Sequence, residues 1–167
     1  MNQSALPLTG AEYVLIAQVP RGGPRWHQVH FNADVVERFF RMEPGSARRV
    51  TFEHVDELGY DRGTSVRPLV FSEVNKNLKI EFDFGGVRDY PSEGVPLLLV
   101  LELGLRAFRY QLLLPDVSGY EPMLELNRSL PKIGRGLRRV ITTLDEVELR
   151  WRECPLRRPA QGDGRRA

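Results

Sequence analysis

Ser72, Asn75, Lys76, Asn77 and Lys79 lie within one eight-residue stretch, and their side chains are of the types that meet nucleic acid. An asparagine amide donates and accepts at once, matching the N6 and N7 edge of adenine, while a lysine ammonium neutralises phosphate charge. A second group stands in Pro20-Arg21-Gly22-Gly23-Pro24-Arg25-Trp26-His27. Here Arg21 and Arg25 can donate bidentately to guanine, and Gly22-Gly23 lets the backbone come close to a partner. Each good bidentate contact contributes roughly 1 to 3 kcal/mol of discrimination between bases. Arg67, just before the first stretch, is a further candidate contact. Plainer readings exist for both groups. Asn75 and Asn77 can be turn formers beside solvated lysines, and the arginine loop can be a solvated connection with Trp26 folded back on the core.

Other chemistries lack their residues. A divalent-metal nuclease of the common restriction type needs an acid two positions before a lysine, but Val74, Asn77 and Leu130 occupy those positions before Lys76, Lys79 and Lys132. None of His27, His30 and His54 has a lysine two residues later. The spacing of His27 and His30 is not that of a helical zinc pair. Glu81 and Asp83 share one face of an expected strand and can hold a magnesium ion, which keeps a metal-dependent nuclease with an atypical site as an alternative. Phosphate-loop, nucleophile-elbow and dinucleotide motifs are absent. The single cysteine, Cys154, allows neither an internal disulfide nor a cysteine-based zinc site; it fits a reducing cytoplasm and reads as a small half-buried apolar residue. No cofactor and no catalysis of the chain's own are expected.

The elements that must position these residues follow from hydrophobic periodicity. Val66, Leu69 and Phe71 precede the amide-rich stretch, and Leu78, Ile80, Phe82 and Phe84 alternate with Lys79, Glu81 and Asp83 after it, so two strands with one buried face flank a polar segment lacking Gly and Pro. Glu12 to Val19 is a first buried strand and Gln28 to Phe31 a short second one. Asn32 then caps a short helix in which Val36, Phe39 and Phe40 share a face, and Pro44-Gly45 ends it. Arg49 to His54 alternates as a third strand, with Asp56 to Thr64 as a turn. Pro96 to Leu103 and Ala107 to Leu114 are apolar at nearly every position, which places them centrally, covered on both faces. Pro122 opens a helix through about Arg128; Pro131 to Arg139 is a basic loop able to bind an anion or simply to connect; and Val140-Ile141 is a candidate last strand. Thr143 to Glu146 is a capping box for a final helix reaching about Arg152.

A length of 167 residues, 41% of them hydrophobic, supports a single domain, expected over residues 11–156 after a loose lead-in at 1–10. An Arg-rich disordered tail is expected at 157–167. The net charge of +2 is concentrated in that tail, leaving about −1 for everything before Cys154, so any nucleic-acid surface must be a local patch. The longest apolar run, Val95 to Leu103, falls short of a membrane helix, and neither a leader peptide nor a membrane partner is expected.

This order of strand, basic loop, strand, short helix closing on Phe39-Phe40, strands and amide-rich arm resembles the DNA-binding pseudobarrel called the B-three domain. The local similarity is clearest from Val14 to Phe40. The plant branch's serine-aspartate pair is missing from the first arm, so the resemblance points to the restriction-endonuclease branch, of EcoRII and BfiI type. It implies a mainly β fold, a seven-stranded open pseudobarrel with two or three short helices. It also implies that two arms clasp the major groove of double-stranded DNA: Arg21, Arg25, Trp26 and His27 in the first; Ser72, Asn75, Lys76, Asn77 and Lys79 in the second. A nuclease subunit or fused catalytic domain would then supply cleavage. The rival expectation from another class is a protein-interaction β-barrel.

Overall fold

The computed structural model describes residues 12–84 and 89–161. The expected lead-in at 1–10 and the last six residues of the expected tail lie outside them. Eight strands and three short helices follow in the order β1 (Tyr13–Gln18), β2 (Gln28–Asn32), α1 (Ala33–Val35), β3 (Ala47–Val55), β4 (Asp61–Val70), β5 (Asn77–Glu81), β6 (Leu97–Gly104), β7 (Ala107–Leu113), α2 (Tyr120–Ser129), β8 (Arg139–Thr143) and α3 (Leu144–Arg150). The fold is mainly β, but the expected count of seven strands is corrected to eight. Val140-Ile141 does belong to a strand, because Arg139 to Thr143 pairs antiparallel with β1.

The strands form two sheets and no closed barrel. Six of them make an open sheet in the order β4-β3-β7-β6-β1-β8, and β2 pairs only with β5. All neighbours in the large sheet are antiparallel except β3 and β7, which run parallel with Thr51 to Val55 beside Ala107 to Gln111. The large sheet is the middle layer. Along β1 the side chains alternate between two cores: Leu15 and Ala17 join Phe31, Phe52, Leu78, Ile80 and Phe108 under the β2–β5 pair, whereas Val14 and Ile16 join Met123, Leu126, Leu144 and Val147 under α2 and α3. Strands buried on both faces must be apolar at every position, which is why β6 reads as a continuous run.

The ends of elements are tied by identifiable groups. Asn32 caps α1 through Oδ1, which accepts from Val35 N at 3.1 Å. The chain continues as a π-type turn to Phe40 and leaves it through Arg41 at φ 58°, and Arg48 donates to the carbonyls of Phe40 and Arg41 at 2.7 and 2.9 Å. Helix α2 begins two residues before Pro122, after Gly119 at φ 93°. A Cβ there would stand 2.4 Å from the Trp151 ring, so only glycine fits. Half of the expected capping box forms: Thr143 Oγ1 accepts from Glu146 N at 3.2 Å, while the Glu146 carboxylate pairs with Arg150 at 3.2 Å. The first residues of the expected tail are docked. Arg157 bonds Glu12, Asp145 and Glu148, and Ala160 pairs with the β3–β4 turn through Gly59 O and Asp61 N. Among the described residues no helix is long and apolar enough to cross a membrane.

Candidate nucleic-acid interface

The β2–β5 pair is the element that gathers the candidate residues. Its register sets Gln28 opposite Glu81, His30 opposite Lys79 and Asn32 opposite Asn77, while Val29, Phe31, Leu78 and Ile80 between them are buried. Period-two alternation therefore gives one apolar underside and one polar outer face. Because the strands are antiparallel, the two expected arms leave from opposite ends. The first loop runs into Gln28 beside Glu81; the second runs into Asn77 beside Asn32. Four register steps of roughly 3.3 Å put the two ends about 13 Å apart.

The second loop is closed on itself. Ser72 N donates to Asn77 O at 3.1 Å, Lys76 N to Ser72 O at 2.9 Å, and Asn75 N to Ser72 Oγ at 3.0 Å. Lys76 adopts φ 56°, a left-handed conformation that a side chain enters only at a cost. Ser72 is thus a loop-building residue, while Asn75, Lys76, Asn77 and Lys79 form no side-chain hydrogen bond or ion pair among the described residues.

The first loop divides differently. Trp26, 3% exposed, packs on Phe84 and Tyr90 with ring centroids 5.1 and 5.2 Å away; the structure gives it to the core. Arg21 lies over the Tyr90 ring at 4.6 Å and donates to Pro91 O at 3.1 Å, and Tyr90 in turn donates to Val19 O at 2.7 Å. These two candidates brace the loop. His27 Nε2 meets Glu81 Oε2 at 3.2 Å, and Arg25 is exposed with no partner among the described residues. Arg67 does not join either arm. It lies in β4 opposite Val50, half-buried, with its charge acting on Tyr110.

Register and packing bring further groups to the ribbon, the basic loop at 131–139 among them. His30 and Gln28 lie on the ribbon's outer face without side-chain partners, and only the β2–β5 register reveals it. The basic loop after α2 comes to the same place: Asn32 Nδ2 donates to Arg135 O at 3.4 Å, and a Cβ on Gly134 would stand 2.6 Å from that nitrogen. Exposed Lys132 and Arg135 therefore extend the basic end of the ribbon. Beneath it, Arg139 is 5% exposed and acts as a strut, donating to His30 O at 2.9 Å and Gln18 O at 3.4 Å, with its guanidinium 5.1 Å from the Phe31 ring. Burial pulls its pKa down to about 10, still protonated near neutrality.

Elsewhere the chemistry is quiet. Burial pushes the Cys154 thiol up to about 11, which leaves it unreactive. Glu81 is engaged by His27, and among the described residues no three His, Cys, Asp or Glu side chains converge as a metal site would require. The face can thus offer hydrogen bonds and positive charge at one end, and a mixed His27, Glu81 and Arg25 surface at the other.

Compared by sequence, the chain matches no protein-family model and no curated protein. Compared by structure, it is similar to the N-terminal domain of Helicobacter pylori LlaJI.R1, with a TM-score of 0.50 and 11% identity over 78% of this chain and 97% of that one. At that identity, what the likeness shows is a shared fold.

Proposed function

We propose that this chain is a sequence-reading double-stranded DNA-binding module of a restriction-type system. The β2–β5 ribbon faces the major groove, and Arg25 from one end, Asn75, Lys76 and Asn77 from the other, and Lys79 on its face contact DNA. The observation that carries this reading is the ribbon itself: a two-stranded element whose outer face and flanking loops hold amide, guanidinium and ammonium groups with no partner of their own. A two-stranded ribbon fits the major groove, where each base pair presents a distinct donor and acceptor pattern. The shared fold with a restriction enzyme's N-terminal domain favours the same context, and cleavage is then the task of a partner subunit or fused domain. The B-three pseudobarrel is the architecture that best accounts for paired arms before β2 and β5.

Purified protein bound to a random pool of duplex DNA over a salt series, with the retained fraction sequenced, tests the reading. A short consensus whose affinity falls as salt rises is expected. Replacing Arg25, Asn75 and Lys76 together with alanine removes that binding, on the order of 100-fold or more, while the melting temperature stays within a few degrees because all three are exposed. Unchanged affinity in the triple variant would sink the assignment.

A second reading has its own observation. Val66 and Val70 are exposed on edge strand β4, Val66 in register with Thr51 and Ala107 across β3 and β7 and Val70 opposite Ala47, and Leu105 in the β6–β7 turn is exposed as well. Exposed apolar side chains at the β4 edge of the sheet suit a protein partner. It predicts a complex indifferent to DNA.

A further inference from the structure

We infer that Val74, at the apex of the second loop, is a specificity-determining residue that reads the C5-methyl group of a pyrimidine in the major groove. The inference rests on the DNA-binding reading and assigns one feature of its target. Val74 is 89% exposed, more than any other large hydrophobic side chain among the described residues. It cannot fold back to the core, because the bonds within the loop fix the backbone on both sides of it: Ser72 accepts from Lys76 N and Asn75 N, and Ser72 N reaches Asn77 O. The loop's base is held as well, with Gly45 N donating to Phe71 O and Phe71 N to Ser46 O.

Its neighbours define what it can meet. Glu73 lies back against Gly45, where a Cβ would stand 3.2 Å from its Oε1, so the carboxylate is turned toward the loop's base. Val74, Asn75 and Lys76 remain exposed at the apex, and Val74 is the apolar one among them. The one apolar group on the major-groove edge of an unmodified base pair is the thymine methyl, and it lies beside the adenine N6 and N7 groups that an asparagine pairs with. Adjacent Cα atoms are about 3.8 Å apart and adjacent base pairs about 3.4 Å. An Asn75 on adenine therefore brings Val74 over the methyl of the same pair or the next. A β-branched side chain stiff at χ1 makes that contact with little loss of rotamer freedom.

The test uses the consensus recovered from the random pool, synthesised with deoxyuridine for thymine one position at a time, which removes the methyl and leaves every hydrogen-bonding group. Wild-type protein is expected to lose about fourfold in affinity at one position, the weight of one buried methyl-sized group. Val74→Ala is expected to bind the thymine duplex as weakly as wild type binds the deoxyuridine duplex, and to be indifferent to the replacement. Val74→Ile is expected to keep the preference, and both variants to melt with the wild type. If the Val74→Ala loss is equal on thymine and deoxyuridine duplexes, or if there is no loss, the methyl-reading role is overturned while the DNA module stands. If wild-type protein retains no duplex at low salt, the module reading and this role fall together.

Discussion

On the DNA-binding reading, Lys76 is a residue that serves recognition at the expense of the fold. Its φ of 56° closes the second loop, and a lysine in that conformation costs about 1 kcal/mol relative to glycine. Neighbouring positive-φ sites such as Gly45 and Gly134 carry glycine. A cation at the turn, where glycine would be more stable, is accounted for if its ammonium meets phosphate. Lys76→Gly is expected to hold or raise the melting temperature by a few degrees while weakening DNA binding and making the slope of log affinity against log salt shallower by about one. A variant that loses stability without changing the slope would show that the lysine serves only the turn. The sequence displayed Asn75, Lys76 and Asn77 openly, because exposed polar residues are legible as types. For Trp26 the sequence left two readings open, an arm residue or one folded back on the core, because its burial depends on Phe84 and Tyr90, 58 and 64 positions away.

At the scale of elements, the parallel β3–β7 contact joins the two halves of the large sheet, and it carries a titratable group. His54 pairs with Tyr110 in that register, is 7% exposed and stacks on the Tyr110 ring at 5.0 Å and 16°. Burial lowers its pKa below the ordinary 6.5, more than Asp83 and Asp56 pull it back. The unfolded chain therefore takes up this proton first as pH falls. Stability from this site is full above about pH 6.5 and declines below it, at no more than about 1.4 kcal/mol per pH unit, down to the folded-state pKa. Melting temperatures at pH 8 and pH 5.5 should fall further for wild type than for His54→Phe, which keeps the stacked ring; parallel declines would remove His54 from the account. Alternation made β2, β3 and β5 legible, and unbroken apolar runs did the same for β6 and β7. The start of β4 was not: Asp61 to Thr64 is polar and contains Gly63, a turn by composition, yet it is held as a strand by backbone pairing to Glu53 and Val55. Nor does any local pattern specify that residues 51–55 lie beside residues 107–111.

For the whole molecule, the proposed DNA-binding role sets a limit on how much DNA one chain would contact. The net charge is only +2, and the cations near the ribbon are few: Arg25 at one end, Lys79 on its face, and Lys76, Lys132 and Arg135 at the other. Neutralising three to five phosphates gives a log–log salt slope of about −2.7 to −4.5, so binding without sequence contacts should be weak at physiological salt. The outer face between the loops spans four register steps. That is about 13 Å, or roughly four base steps of 3.4 Å. Contacts from a single chain therefore fit one contiguous block of about four to six base pairs, without the two-fold repeat that a symmetric dimer imposes on its site. Sequencing of the retained duplexes should return such a block, and sedimentation of the complex should give one protein per DNA. Two half-sites separated by about ten base pairs would instead mean two chains bound side by side. The exposed Val66 and Val70 at the β4 edge of the large sheet would then be the first surface to place between them.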